Sequence, residues 1–167
     1  MSAAAVPHSS FGRDAMSRLV RAGVITGISD ALWAIVLQVF IYQRGSASRV
    51  WQGVASVLIG KAALDGGTAT VVLGLVMHFF VAFTWSAIFL LLVIRSPRLR
   101  AILDSPYGVL RVAAVYGPLI WVVMSWMVIP IFVHHFAAMT INWWIQLAGH
   151  IAFVGLPLVW SIGSGSR

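Results

Sequence analysis

Three ionisable side chains interrupt long runs that otherwise carry no charge: Asp30, His78 and His150. A carboxylate with two imidazoles can exchange protons, ligate a metal through ring nitrogens, or lock helices together by hydrogen bonds. Each chemistry requires the three to meet. Asp30 stands about eight residues into its apolar run, and His78 and His150 stand about seven and nine residues into theirs from the opposite end, so at about 1.5 Å per helical residue the depths agree. The faces agree as well. Gly23, Gly27, Asp30 and Ala34 form one helical stripe, as do Gly74, His78, Ala82 and Ser86, and Asn142, Gln146 and His150. Small residues beside a polar one permit close helix contact at that point. The expectation is an interior cluster of Asp30, His78, His150 and Gln146, with Ser29 and Gln38 as weaker partners and with Gly23, Gly27, Gly74 and Ala82 as packing positions.

The cluster admits three uses. As glue, Asp30 is bonded to a histidine or to a carbonyl freed near Pro118, fixing helix register. As a cofactor site, His78 and His150 are axial ligands of haem b, or one of them ligates a chlorophyll magnesium. As a pathway, Asp30 and the histidines pass a proton or a small solute, which needs a hydrated interior. Asp30 cannot face lipid without compensation, because an acidic residue near a helix centre costs about 2.5 to 3.5 kcal/mol even on a mild insertion scale.

The elements that must position these residues follow from composition. The 167 residues are 60% hydrophobic and 9% charged, far from the roughly one-quarter charged share of soluble domains. Four apolar runs are long enough to cross a bilayer: 22–42, 71–94, 112–133 and 141–162. The polar, basic segment 1–21 precedes them and a short tail, 163–167, follows. The first run exceeds a typical signal-peptide core, so an uncleaved helix is expected. Residues 95–111 separate the second and third runs, and 134–140 forces a tight hairpin before the fourth. Pro118, Pro130 and Pro157 permit bends.

Residues 43–70 form a connection too long for a simple turn. Arg49, Gln52, Gly53, Ser56 and Gly60 fall on one face of a helix over 49–64, and Val50, Trp51, Val54, Val57 and Leu58 on the other. That pattern predicts a helix lying in the membrane interface, Trp51 and Leu58 toward lipid or the bundle and Gln52 and Ser56 toward water, with a re-entrant half-span as the alternative. Asp65-Gly66-Gly67-Thr68 then supplies a turn and an N-cap for the second span. The single histidines of the second and fourth spans hint at a parallel repeat, unsupported by the first and third.

Basic residues orient the chain. With both termini cytoplasmic, the inside holds Arg13, Arg18, Arg21, Arg95, Arg98, Arg100, Arg111 and Arg167, against Arg44, Arg49 and Lys61 outside. The net charge of +7, with four aspartates and no Glu, thus reflects headgroups and topology rather than nucleic-acid binding. Tyr42, Trp51, Trp143 and Trp144 are expected as outer interface anchors, and Tyr107 and Trp160 as inner ones. Trp33, Trp85, Trp121 and Trp126 are expected to pack within the bundle, and His134 and His135 to lie in a headgroup-level loop. There is no Cys. No catalytic residues, metal site, phosphate loop or nucleophile–base pair can be assigned, so an enzyme is not expected.

The stretches Gly27-Ile28-Ser29-Asp30, Trp51-Gln52-Gly53-Val54-Ala55-Ser56, Gly74-Leu75-Val76-Met77-His78-Phe79 and Gly149-His150-Ile151-Ala152-Phe153-Val154-Gly155 resemble those of small bacterial four-helix membrane proteins, some of which are loosely similar to the YagU-like inner-membrane group. The resemblance covers the chain from about residue 22 and implies a fold and a compartment, without a reaction. The expectation overall is an all-α integral membrane bundle of four spans plus an interfacial helix. It would serve as a non-catalytic accessory or scaffold subunit, with the bilayer and a membrane-protein partner or a second copy as its contacts. A haem or chlorophyll protein using His78 and His150, and a proton-coupled transporter using Asp30, are the alternatives.

Overall fold

A computed structural model describes residues 8–163, with side chains from residue 12 onward. Long apolar runs without charge leave the backbone no partner but itself, and the described residues are helical with no strand. The elements are α1 (His8–Ile35), α2 (Ala47–Ile59), α3 (Gly67–Arg95), α4 (Pro97–Asp104), α5 (Gly108–Val123), α6 (Ile129–Val133), α7 (Ile141–His150) and α8 (Leu156–Gly163). Four stretches are long and apolar enough to cross a membrane: Gly12–Ile41, Gly67–Arg95, Gly108–Val133 and Ile141–Gly163. This is a multi-pass, all-helical membrane protein with both described ends on one side, called here the terminal side.

The first span starts earlier than expected. Helix α1 runs from His8, so the basic segment is helical across its described part and residues 1–7 lie outside the described residues. Its arginines do not break the helix, because Arg18 pairs with Asp14 one turn away at 2.8 Å. The expected tail beyond Gly163 also lies outside the described residues. Helix α4 was not anticipated within 95–111. Ser96 caps it, its hydroxyl accepting from the Leu99 amide at 3.1 Å with Pro97 in the first turn. From α4, Arg100 donates to the Val93 and Ile94 carbonyls at 2.7 and 2.8 Å, satisfying the end of α3.

Two spans contain wide, π-type turns that end two residues before a proline. Met124–Val128 precedes Pro130 and Ile151–Gly155 precedes Pro157. A proline has no amide to donate, and the ladder loosens just ahead of it. A further wide turn, Val36–Ile41, ends the first span without a proline.

The expected helix in the long connection is α2, followed by a 3-10 stretch Gly60–Asp65. Its faces differ from expectation at Gln52. Trp51, Gln52 and Ala55 are buried, and Leu58 is exposed. Gln52 turns inward because α2 packs on α3 and its amide donates to the Gly67 carbonyl at 3.4 Å. The expected Asp65–Thr68 cap is not formed. Thr70 closes that turn instead, donating to the Ala63 carbonyl at 2.7 Å.

Close packing concentrates on the terminal side, where Phe89, Leu158, Val159 and Ile162 are fully buried with Ala22 and Leu103. The Arg21 guanidinium donates to the Ser161 carbonyl, and the Tyr116 hydroxyl donates to the Trp85 carbonyl at 3.0 Å. The third and fourth spans meet at Gly117 and Gly155. A Cβ on Gly117 would run into the His150 carbonyl, and one on Gly155 into Ala113 and Gly117. Large side chains such as Phe40, Phe80 and Val115 face outward, as lipid contact requires.

Candidate functional site

The expected stripes converge. Helices α1 and α3 approach where Gly23 and Gly27 leave room for the rings of Phe83 and Phe79. That approach sets the His78 Nε2 2.8 Å from the Gly27 carbonyl oxygen and its Nδ1 3.9 Å from the Asp30 carboxylate. Gly74 also serves close contact, but with a partner the stripe did not suggest: a Cβ there would strike the Trp51 backbone of α2. Ala82 lines the interior beside His78, and Ser86 is fully buried below it.

The hydrogen bonds fix the proton positions. A carbonyl only accepts, so His78 donates from Nε2 to Gly27 and its Nδ1 is left toward Asp30. His150 likewise donates from Nδ1 to the Gln146 carbonyl at 2.7 Å, leaving Nε2 as an acceptor. Gln146 is oriented by Trp33, whose indole donates to Oε1 at 3.0 Å while its ring stacks on Phe153 at 4.6 Å.

Asp30, His78, His150 and Gln146 all line one chamber of about 260 Å³. Apart from Thr26, its remaining wall is apolar and aromatic, with Trp51, Trp85 and Trp121 prominent. The Trp51 ring lies edge-on to His78 at 5.3 Å, and Trp121 lies 4.8 Å from His150. Val50, Trp51, Val54 and Val57 of α2 roof the chamber. Above it a second space of about 350 Å³ is lined by Gln38, Arg44 and Arg49, and shares Ala34, Val50, Val54, Val57 and Gln146 with the chamber. The Asp30 side chain is 27% exposed and the His78 side chain 11%, so the carboxylate remains accessible.

Sequence reasoning missed Trp51, Trp85 and Trp121 as lining residues. Trp51 and Trp143 were expected as interface anchors, but both are buried. Trp143 donates to the Ser125 hydroxyl at 3.2 Å and stacks on Trp126 at 5.0 Å. The periodicity of α2 held the signal for Trp51, since its apolar face had to cover something. Trp144, Trp160 and Tyr107 do face outward. His135 donates to the Val133 carbonyl at 2.9 Å, and among the described residues no group of three or more His, Asp or Glu could hold a metal ion.

For a haem or chlorophyll the donor set fits at one position. His150 keeps Nε2 open to the chamber, whereas both ring nitrogens of His78 face protein oxygens. Paired axial ligation would require breaking the Gly27 bond. Compared with known protein families, curated proteins and solved structures, the chain shows no match.

Proposed function

We propose that this protein is a small proton-linked carrier of the bacterial inner membrane, non-catalytic, with both termini cytoplasmic. One observation carries the carrier reading: an accessible Asp30 carboxylate 3.9 Å from the His78 ring, both lining a chamber within the spans. Intramembrane ionisable groups mark ion and solute paths by default. A bundle serving only as a scaffold gains by filling its interior, whereas this one leaves a space of about 260 Å³ beside its ionisable groups. The cytoplasmic orientation follows from the eight basic residues on the terminal side against three opposite. On this reading α2 lies at the outer surface, with Arg44, Arg49 and Lys61 toward headgroups.

A second reading, the accessory or scaffold subunit, draws support from the outward apolar side chains, which suit a partner helix or a second copy as well as lipid. Kinship with the YagU-like group is compatible with either. Proteoliposomes on a solid-supported membrane, challenged in turn with amines, carboxylates and neutral solutes, test the carrier. At least one class should evoke a current that Asp30→Asn abolishes. Silence toward every class from folded protein would defeat carriage, and a stoichiometric membrane partner co-purifying in mild detergent would then favour the scaffold.

A further inference from the structure

We propose that the chamber takes a lipophilic organic cation, an ammonium bearing apolar or aromatic groups, and that this cation and a proton compete for the Asp30–His78 pair. The proposal rests on the carrier reading and names its substrate class.

The chamber's donors are neutral, the Thr26 hydroxyl, the Trp121 indole N–H and the Gln146 amide, and its carboxylate is that of Asp30. His78 and His150 spend one N–H each on the carbonyls of Gly27 and Gln146, so what they present inward is a lone pair, beside the oxygens of Asp30. Gln146 contributes an amide, but its oxygen is already taken by Trp33. A guest that brings positive charge complements the Asp30 carboxylate and the imidazole lone pairs, and one that brings negative charge opposes them. The rings of Trp51, Trp85 and Trp121 add the π faces that attract an ammonium and accept its apolar substituents. A carboxylate with several indoles in an otherwise apolar pocket matches organic cations better than sugars or carboxylates, which need many donors.

The arginines indicate the route. Arg44 and Arg49 line the upper space, where they oppose a cation arriving from water. The chamber wall also runs between the second and third spans, from Met77, Val81 and Trp85 to Ile120, Met124 and Ile129. These spans are tied to each other near the terminal side, by Tyr116 with Trp85 and Phe89. Farther up the gap is bridged by α2, whose Ser56, Val57 and Leu58 share a pocket with Phe132 and Val133. A lipophilic amine partitioned into the bilayer therefore meets an apolar seam, with α2 as its cover.

The groups facing Asp30 and His78 are few. The fourth span presents His150, the connection before α2 and α2 itself present Arg44 and Arg49, and the third span presents no titratable side chain to the chamber. Loss of binding on acidification thus reports Asp30, His78 and His150.

Binding of radiolabelled benzyltrimethylammonium to the purified protein in mild detergent tests this. Binding should be saturable and weaken by up to tenfold per pH unit as the cluster takes its proton. It should fall at least tenfold in Asp30→Asn and be retained in Asp30→Glu. Trp121→Leu should weaken it severalfold and Trp121→Phe much less. Phenylacetate should not displace it. No saturable binding, binding indifferent to pH and to Asp30→Asn, or equal displacement by phenylacetate would overturn the assignment. Should Asp30→Asn fail to fold, the pH dependence of the unaltered protein decides. Saturable binding without current would sink carriage and leave the ligand class standing, whereas currents evoked only by other solutes would do the reverse.

Discussion

The terminal half of the bundle and the far half are made from the same apolar alphabet, yet they are built oppositely. The terminal half is filled, with Phe89, Leu158, Val159 and Ile162 fully buried and its helix ends tied by Arg21, Arg100 and the α4 cap. The far half leaves space, lined by tryptophans and covered by the short helix α2. In lipid, apolar burial alone does not hold helices together, so the filled half supplies packing and the open half can spare it. The difference suggests that the terminal half anchors the fold while the far half carries its chemistry.

The largest effect expected is all-or-none. A cysteine at position 46 or 137 should be labelled by an impermeant reagent added outside, and one at position 99 should not. The opposite pattern would reverse the orientation and place the chamber's cover in the cytoplasm. Next in size is a stability contrast between the halves. Phe89→Ala should cost about 3 kcal/mol, the usual scale for emptying a packed aromatic site. Met77→Ala should cost less than about 1 kcal/mol, because this side chain borders existing space and leaves fewer contacts unmade. Reversible unfolding in bicelles measures both, and equal losses would show that the halves are packed alike. The smallest effect lies in α2. A Cβ on Gly53 would meet nothing within 4 Å, so Gly53→Ala should raise the stability of this helix by about 0.5 kcal/mol without touching the bundle. A loss in the same assay would mean that α2 needs the freedom of a glycine at that point.

The four spans were legible as long apolar runs, Asp30 being their one acidic or basic residue, and the cluster was legible because its members sit at three- or four-residue spacing on helical stripes, two of them rich in small residues. Asp30, His78, His150 and Gln146 line one chamber for that reason. What the sequence hid depended on neighbours distant along the chain. Gln52 reads as a solvent-facing residue until α3 offers it the Gly67 carbonyl. Trp51 and Trp143 look like interface anchors by position in the run, and they turn inward where His78 and Ser125 receive them. The start of α1 was obscured by its arginines, which resemble a loop by composition but sit on a helix through the Asp14–Arg18 pair. Helix α4 did carry a local signal, Ser96-Pro97, overshadowed by the density of charge around it.

The wide turns ahead of Pro130 and Pro157 have a mechanical consequence. Each accommodates one residue more than a regular helix would while turning the chain about as far, since the five residues of a wide turn cover nearly the angle of four α-helical residues at about 100° each. Deleting one residue within 151–155 would let the ladder close regularly and leave Leu158 and Ile162 in the anchoring half while Gln146 and His150 kept their aim. A deletion elsewhere in the span would turn one part against the other by about 100°. The two wide turns are therefore the points at which the third and fourth spans tolerate a change of length with the chamber wall and the anchor still in register.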